Sequence, residues 1–326
     1  MAVYKTCTNH NSFLKKIKFI ILYVFFLFVI LMSCQETIDI KVPEHQPFLA
    51  LNSILNAGEP ISVNVTSSKP PPPIIDSSLT IKNATVKLFE DGVYQEDLVF
   101  KESYLNKRYS GTYYSLNGLK PQIGHTYSID VTALGYDQIT SETTIPEPVP
   151  IISVDTNSIL ATDGRSTYTR HEVIIKFNDP GEQKNYYKLK VFQINRYKTL
   201  ITVPIYCNDL NIMYFKLPND PGLFSTGEQE SNSLILSEIY LSDESFNGNN
   251  YNLKIGVWPD NGRKLYFRLY SMNEEYYKYV RSYFNQVYKK YDIFSEPYQV
   301  YSNINNGAGI FSSSSMSVDS SIVWSF

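Results

Sequence analysis

The chain has 326 residues, with 29 Lys and Arg against 32 Asp and Glu, a formal net charge of −3, and 43% of its side chains are hydrophobic. A slightly acidic surface repels a polyanion, which argues against nucleic acid as a partner and leaves proteins, small ligands and membranes. Such a length supports two domains with a core in each, and 27 tyrosines beside many Val, Ile and Thr favour half-buried pleated surfaces, so a mainly β fold is expected.

In chain order, Lys15, Lys16 and Lys18 precede fourteen apolar residues, Phe19 to Met32. A membrane-spanning helix needs about 20 residues, so this run reads as a signal-peptide core rather than an anchor. Leu31-Met32-Ser33-Cys34 follows it, with a small residue suited to a peptidase cleft and a thiol able to form a thioether. This stretch resembles the lipobox of bacterial lipoproteins. The resemblance implies that residues 1–33 are a removed signal peptide and that Cys34 carries lipid. A single acyl chain holds only marginally, at about 0.8 kcal/mol per buried methylene, whereas several on one cysteine would anchor the chain for good.

Removing residues 1–33 takes away four lysines and no acid, leaving 293 residues with 25 basic against 32 acidic side chains, a net charge of −7. Cys7 leaves with that segment and lipid occupies Cys34, so Cys207 stands alone and no intramolecular disulfide is expected. In "LITVPIYC" Cys207 reads as a small buried hydrophobe rather than a nucleophile. The polar, proline-containing stretch that completes residues 34–47 reads as a flexible lipidated tether.

Residues 48–147 carry about seven strand-like runs. In "ISVNVTSS" Ile61, Val63 and Val65 alternate with polar residues, and Tyr127, Ile129 and Val131 do the same in "HTYSIDV". Turn signals at Asp91-Gly92 and Asn117-Gly118 give the rhythm of a β-sandwich. The segment from Gly111 to Ile145 looks like the closing strands of immunoglobulin-like or transthyretin-like modules. Pro70 to Pro73 cannot donate ladder hydrogen bonds and are expected in an exposed loop.

"IPEPVPI" at 145–151 then reads as a semi-rigid link to a second β-rich domain over residues 148–326. There "EVIIKFND", the turn Asp179-Pro180-Gly181 and "YYKLKVFQI" are expected to form an antiparallel pair. One segment breaks the period of two. Met272, Tyr276, Tyr279, Val280, Tyr283 and Val287 recur at helical spacing, which predicts an amphipathic helix over about 272–290 packed across a sheet. Ser271 and Glu274 fit a capping box at its start.

Three later stretches carry a family likeness: "LSDESFNGNNYNL" at 241–253, "SMNEEYYKYVRSY" at 271–283 and "VYSNINNGAGIF" at 300–311. With the lipobox, "FLALNSILNAGEPISVNV" and the 111–136 segment, they resemble the family called domain of unknown function 4249. The resemblance implies an envelope lipoprotein of Bacteroidota, often encoded beside TonB-dependent outer-membrane transporters, and hence an accessory to uptake. It supplies no catalytic or ligand residue. Read physically, Asn303, Asn305, Asn306, Gly307 and Gly309 tolerate positive φ and local side-chain bonds, so they are expected to form a structural turn between strands ending at Tyr301 and beginning at Ile310.

Enzyme motifs such as a GxSxG elbow, a Walker loop or HExxH do not occur in the sequence. His45, His125 and His171 are the histidines left after cleavage and lie far apart in sequence, so no triad or metal site is expected from them. Asp243 to Asn250 offers oxygen ligands around a glycine, but the spacing departs from an EF-hand loop and a hairpin turn is the better reading. No catalytic, cofactor or metal residue is therefore assigned. Two functions remain: a non-enzymatic, lipid-anchored outer-membrane accessory that assists a TonB-dependent transporter in nutrient capture, or a surface hydrolase acting on glycan or peptide. Whether such a protein faces the periplasm or the cell exterior is open, because Gln35-Glu36 and Asp39 only partly resemble a surface-export signal.

Overall fold

The computed structural model describes residues 16–26, 46–68, 79–105, 108–162, 167–194, 197–203, 205–206, 224–226, 229–230, 233–234, 238–257, 264–289, 296 and 298–319. Met1–His45 and Gln46–Phe326 separate as two compact units. Of the first, the described part is a helix, α1, at residues 16–26. No helix among the described residues is long and apolar enough to cross a membrane.

The second unit is mainly β. Its first half contains β1 (Leu49–Asn56), β2 (Ser62–Ser67), β3 (Thr85–Glu90), β4 (Val93–Asp97), β5 (Val99–Leu105), β6 (Arg108–Tyr114), β7 (Thr126–Thr132) and β8 (Ile139–Thr144). Then follow β9 (Ile151–Thr162), β10 (Thr167–Asn178) and β11 (Tyr186–Ile194), and the short strands β12 (Leu200–Thr202), β13 (Ile205–Tyr206), β14 (Phe224–Thr226), β15 (Gln229–Glu230) and β16 (Ser233–Leu234). β17 (Glu238–Ser242), β18 (Asn250–Val257), β19 (Leu265–Met272), the helix α2 (Glu274–Lys289) and β20 (Ala308–Asp319) complete the described elements.

A ten-stranded sheet runs in the order β14-β17-β11-β19-β20-β1-β2-β6-β5, with β12 paired to β11 off that path. The last described strand thus sits beside the first: β20 lies parallel to β1 from Ala308 against Ala50 to Ser314 against Asn56. The boundary expected near residue 147 falls between two cores, yet this sheet continues through both. In the first core Leu49, Leu51, Val63 and Val65 of the long sheet meet Val86, Leu88, Ile129 and Val131 of the four-stranded sheet β4-β3-β7-β8, and Ile304 and Phe311 join them. In the second, Leu189, Phe267 and Leu269 meet Val173, Ile175, Leu253 and Ile255 of the sheet β13-β18-β10-β9. Period-two alternation drives this, since each buried aliphatic side chain contributes about 1.5–3 kcal/mol only on its inward face.

Two expected hairpins are not formed. β10 pairs with β9 and β18, whereas β11 pairs with β12, β17 and β19, so Asp179-Pro180-Gly181 carries the chain from one sheet to the other. The 243–250 segment likewise connects β17 to β18 across that gap, opening with a 3-10 turn at Asp243–Ser245. The two crossings lock together. A Cβ on Gly181 would lie 2.8 Å from the Gly248 Cα, so each turn needs a glycine where its backbone meets the other. Within the 145–151 stretch read as a semi-rigid link, Ile145 and Val149 are buried, and the Val149 N–H donates to Ser271 Oγ at 3.0 Å.

The helix expected over about 272–290 begins later, because Met272 is the last residue of β19. Its cap is Asn273, not Ser271. Asn273 Oδ1 accepts from the Tyr276 N–H at 3.3 Å, while Ser271 Oγ is occupied by Val149. Met272, Tyr277 and Val280 pack with Tyr186 and Tyr240, so α2 covers the sheet face opposite the second core.

Candidate functional site

Cys34, residues 34–45 of the tether, Pro70 to Pro73, Cys207 and His45 lie outside the described residues. The asparagine-glycine turn lies within them. Tyr301 is not in a strand, and the following strand starts at Ala308 rather than Ile310. Asn303 binds Phe311 twice, donating from Nδ2 to its carbonyl at 2.7 Å and accepting from its N–H at 3.0 Å. The Asn305 N–H donates to Thr140 O at 2.9 Å, and Asn306 Nδ2 donates to Gln138 O at 3.3 Å. Asn306 (φ 57°) and Gly309 (φ 109°) take the left-handed backbone, and a Cβ on Gly307 would lie 2.6 Å from Leu49 O. The asparagine bonds hold the entry of β20 against β8, and the lack of a side chain at Gly307 lets it pass close to β1.

The two sheet crossings concentrate carboxylates. Asp179 is buried, accepts from Tyr187 Oη and from the Gly248 N–H at 2.8 Å, and so ties both turns to β11. Asp243 is buried and accepts from the Asn185 N–H at 2.6 Å. Burial, with the Asp179 charge adding to it, pushes the Asp243 carboxyl above the ordinary range despite the Asn185 bonds. Among the described residues, no group of three or more His, Cys, Asp or Glu is placed to hold a metal ion. His125 stands at the start of β7 and His171 within β10.

A third cluster lies between α2 and the sheet. Lys188 on β11 is only 6% exposed, and its Nζ donates to Tyr276 Oη at 3.0 Å. The ammonium also lies 4.3 Å from the Tyr270 ring centroid and 4.9 Å from that of Tyr276, an aromatic cage that partly replaces water. Burial dominates and lowers its pKa. Burial likewise pushes Tyr276 up to about 12 and raises Tyr240 further. Next to Lys188, Lys190 Nζ lies 2.7 Å from Glu238 Oε2, and Tyr240 Oη donates to Glu238 Oε1 at 2.6 Å. Burial would raise the Glu238 carboxyl, but the Lys190 and Tyr240 bonds outweigh it and hold its pKa low. The same ion pair overcomes burial at Lys190 and raises its pKa.

The family model described as Domain of unknown function (DUF4249) matches residues 35–320. The chain belongs to this family. No curated protein matches it. The DUF4249 match begins one residue after Cys34 and ends one residue after β20, so it takes in the described part of the second unit whole. The motif turn, both sheet crossings and the lysine-tyrosine cluster all lie inside the DUF4249 match. The sequence marks the motif turn, Asp179-Pro180-Gly181 and the Asp243 segment by their turn chemistry, and does not mark the lysine cluster in that way. The signal was there: Lys188 and Lys190 occupy the outward positions of β11, and the tyrosines of the α2 stripe are what covers the first of them.

Proposed function

We propose that the chain is a lipid-anchored outer-membrane accessory protein that binds a nutrient for a TonB-dependent transporter rather than transforming it. The observation that carries this reading is the position of Cys34: it closes a short apolar leader behind lysines, and the family match starts at the next residue. Such a start fits a chain whose functional part begins where the leader is cut. The described titratable groups support binding over chemistry, because Asp179, Asp243, Glu238 and Lys188 are each spent on internal bonds that fix turns or the helix. A general acid or base must instead reach a substrate atom.

The test is metabolic labelling with a palmitate analogue, combined with detergent co-purification of a tagged full-length chain. Label on the wild type but not on Cys34→Ser, together with an outer-membrane β-barrel in the eluate, is the expected result. Equal membrane retention of Cys34→Ser without label overturns the anchor, and an eluate without a barrel overturns the partner. Cleavage of a glycan or peptide polymer by the purified chain overturns the binding role.

A further inference from the structure

The sheet face that α2 covers continues past Lys188, and there its charges do not balance. β11 and β19 set Lys190 directly opposite Arg268 and Phe192 directly opposite Tyr266. Opposed residues on adjacent strands stand about 4.5–5.5 Å apart at Cβ, and like charges in that position repel. Lys190 has its counter-ion in Glu238. Arg268 has none among the described residues. Its guanidinium lies 4.7 Å from the Phe192 ring centroid, and its Nε is buried without a hydrogen-bond partner. On its other side β20 places Val318, which is 50% exposed. Arg268, Tyr266 and Phe192 are all partly exposed, so the strip is reachable from solvent.

We propose that this strip binds a monocarboxylate whose apolar body lies on Phe192, Tyr266 and Val318. Lys190 and Arg268 against Glu238, with Lys264 Nζ 5.7 Å from the Tyr266 ring centroid, leave an excess of positive charge that favours an anion, and the apolar rings favour one with a hydrocarbon body over inorganic phosphate. A guanidinium presents a planar fork that fits two carboxylate oxygens. The aromatic rings and the valine beside it supply contact for a hydrocarbon group, and the bound carboxylate pairs with the exposed part of the guanidinium and screens the two cations from each other. This names the ligand class for the capture role, yet it stands apart from the anchor, which palmitate labelling reads separately.

The experiment titrates the purified full-length chain with 3-phenylpropionate, 3-phenylpropan-1-ol and inorganic phosphate, following heat and the arginine Nε–H resonances. The carboxylate is expected to bind and to move one Nε–H signal that is missing from Arg268→Lys. Arg268→Gln should weaken it by at least about tenfold at unchanged melting temperature, with Arg268→Lys in between, and the alcohol should bind at least about tenfold more weakly. No carboxylate binding up to about 10 mM, equal binding of the alcohol, or unchanged binding by Arg268→Gln overturns the site. Phosphate binding as tight as the carboxylate overturns the ligand class. If Arg268→Gln melts early, Arg268→Lys carries the comparison, and wild-type affinity in that variant rejects the guanidinium fork.

Discussion

At Gly309 the backbone takes φ 109° and any Cβ would run into the carbonyl oxygen of Leu51, its partner on β1. Both faults act on the central parallel pair, so Gly309→Ala is expected to cost about 2–4 kcal/mol in denaturant unfolding, and a loss below about 1 kcal/mol would show that β20 can shift to make room. Lys188 invites the opposite expectation. Its surroundings disfavour the charged form, so Lys188→Met should raise stability at neutral pH by about 1 kcal/mol. The pH dependence gives the sharper test. Between the lowered folded pKa and the ordinary 10.5, the unfolded chain binds the proton that the folded chain has released, so wild-type stability gains a component that rises with pH. Denaturant midpoints compared up to about pH 10 should show that component in wild type and not in Lys188→Met. Equal slopes would mean that the ammonium is better solvated than its burial implies.

On the scale of elements, α2 was legible as a helix because its apolar stripe recurs at three and four residues, a period no strand shares. Its start was not legible, since Ser271-Glu274 has the spacing of a capping box while Ser271 Oγ is claimed by Val149, a residue 122 positions away. Asn273 does the capping, and its side chain also ties the helix to the sheet: Nδ2 donates to Thr143 Oγ1 at 2.6 Å, and Oδ1 accepts from Ser312. Asn273→Ala therefore removes a cap worth about 0.5–2 kcal/mol and leaves buried hydroxyls short of a partner, for an expected total of about 2–3 kcal/mol. Ser271→Ala should leave the capping untouched and cost about 1 kcal/mol through the lost Val149 bond. Amide hydrogen exchange separates the two. Faster exchange at Tyr276 and Tyr277 is expected in the first variant alone, and the same change in the second would restore Ser271 as the cap.

Over the whole molecule, alternation announced most strands of the first half but not their neighbours, because pairing is decided by contacts far apart in sequence. Asp179-Pro180-Gly181 looks like a hairpin turn and is a crossing between sheets, which only the partners of β10 and β11 reveal. The same blindness bears on the boundary near residue 147. A cut there would leave β1 with β2 on one edge and nothing on the other, since β20 fills that edge from Ala50 to Asn56. It would also strip Ile304 and Phe311 from the first core. An exposed seven-residue edge at the middle of a sheet invites pairing with other chains, and the two lost side chains remove about 3–6 kcal/mol of burial, comparable to the whole stability of a domain of that size. A fragment of residues 46–147 is therefore expected to be unfolded or aggregated, read as collapsed amide dispersion in its NMR spectrum. Adding residues 298–319 through a flexible linker should restore dispersed signals, because that segment supplies both the missing strand and the two core residues. A dispersed spectrum from the shorter fragment would mean that the first core stands by itself and that β20 docks onto a finished sheet.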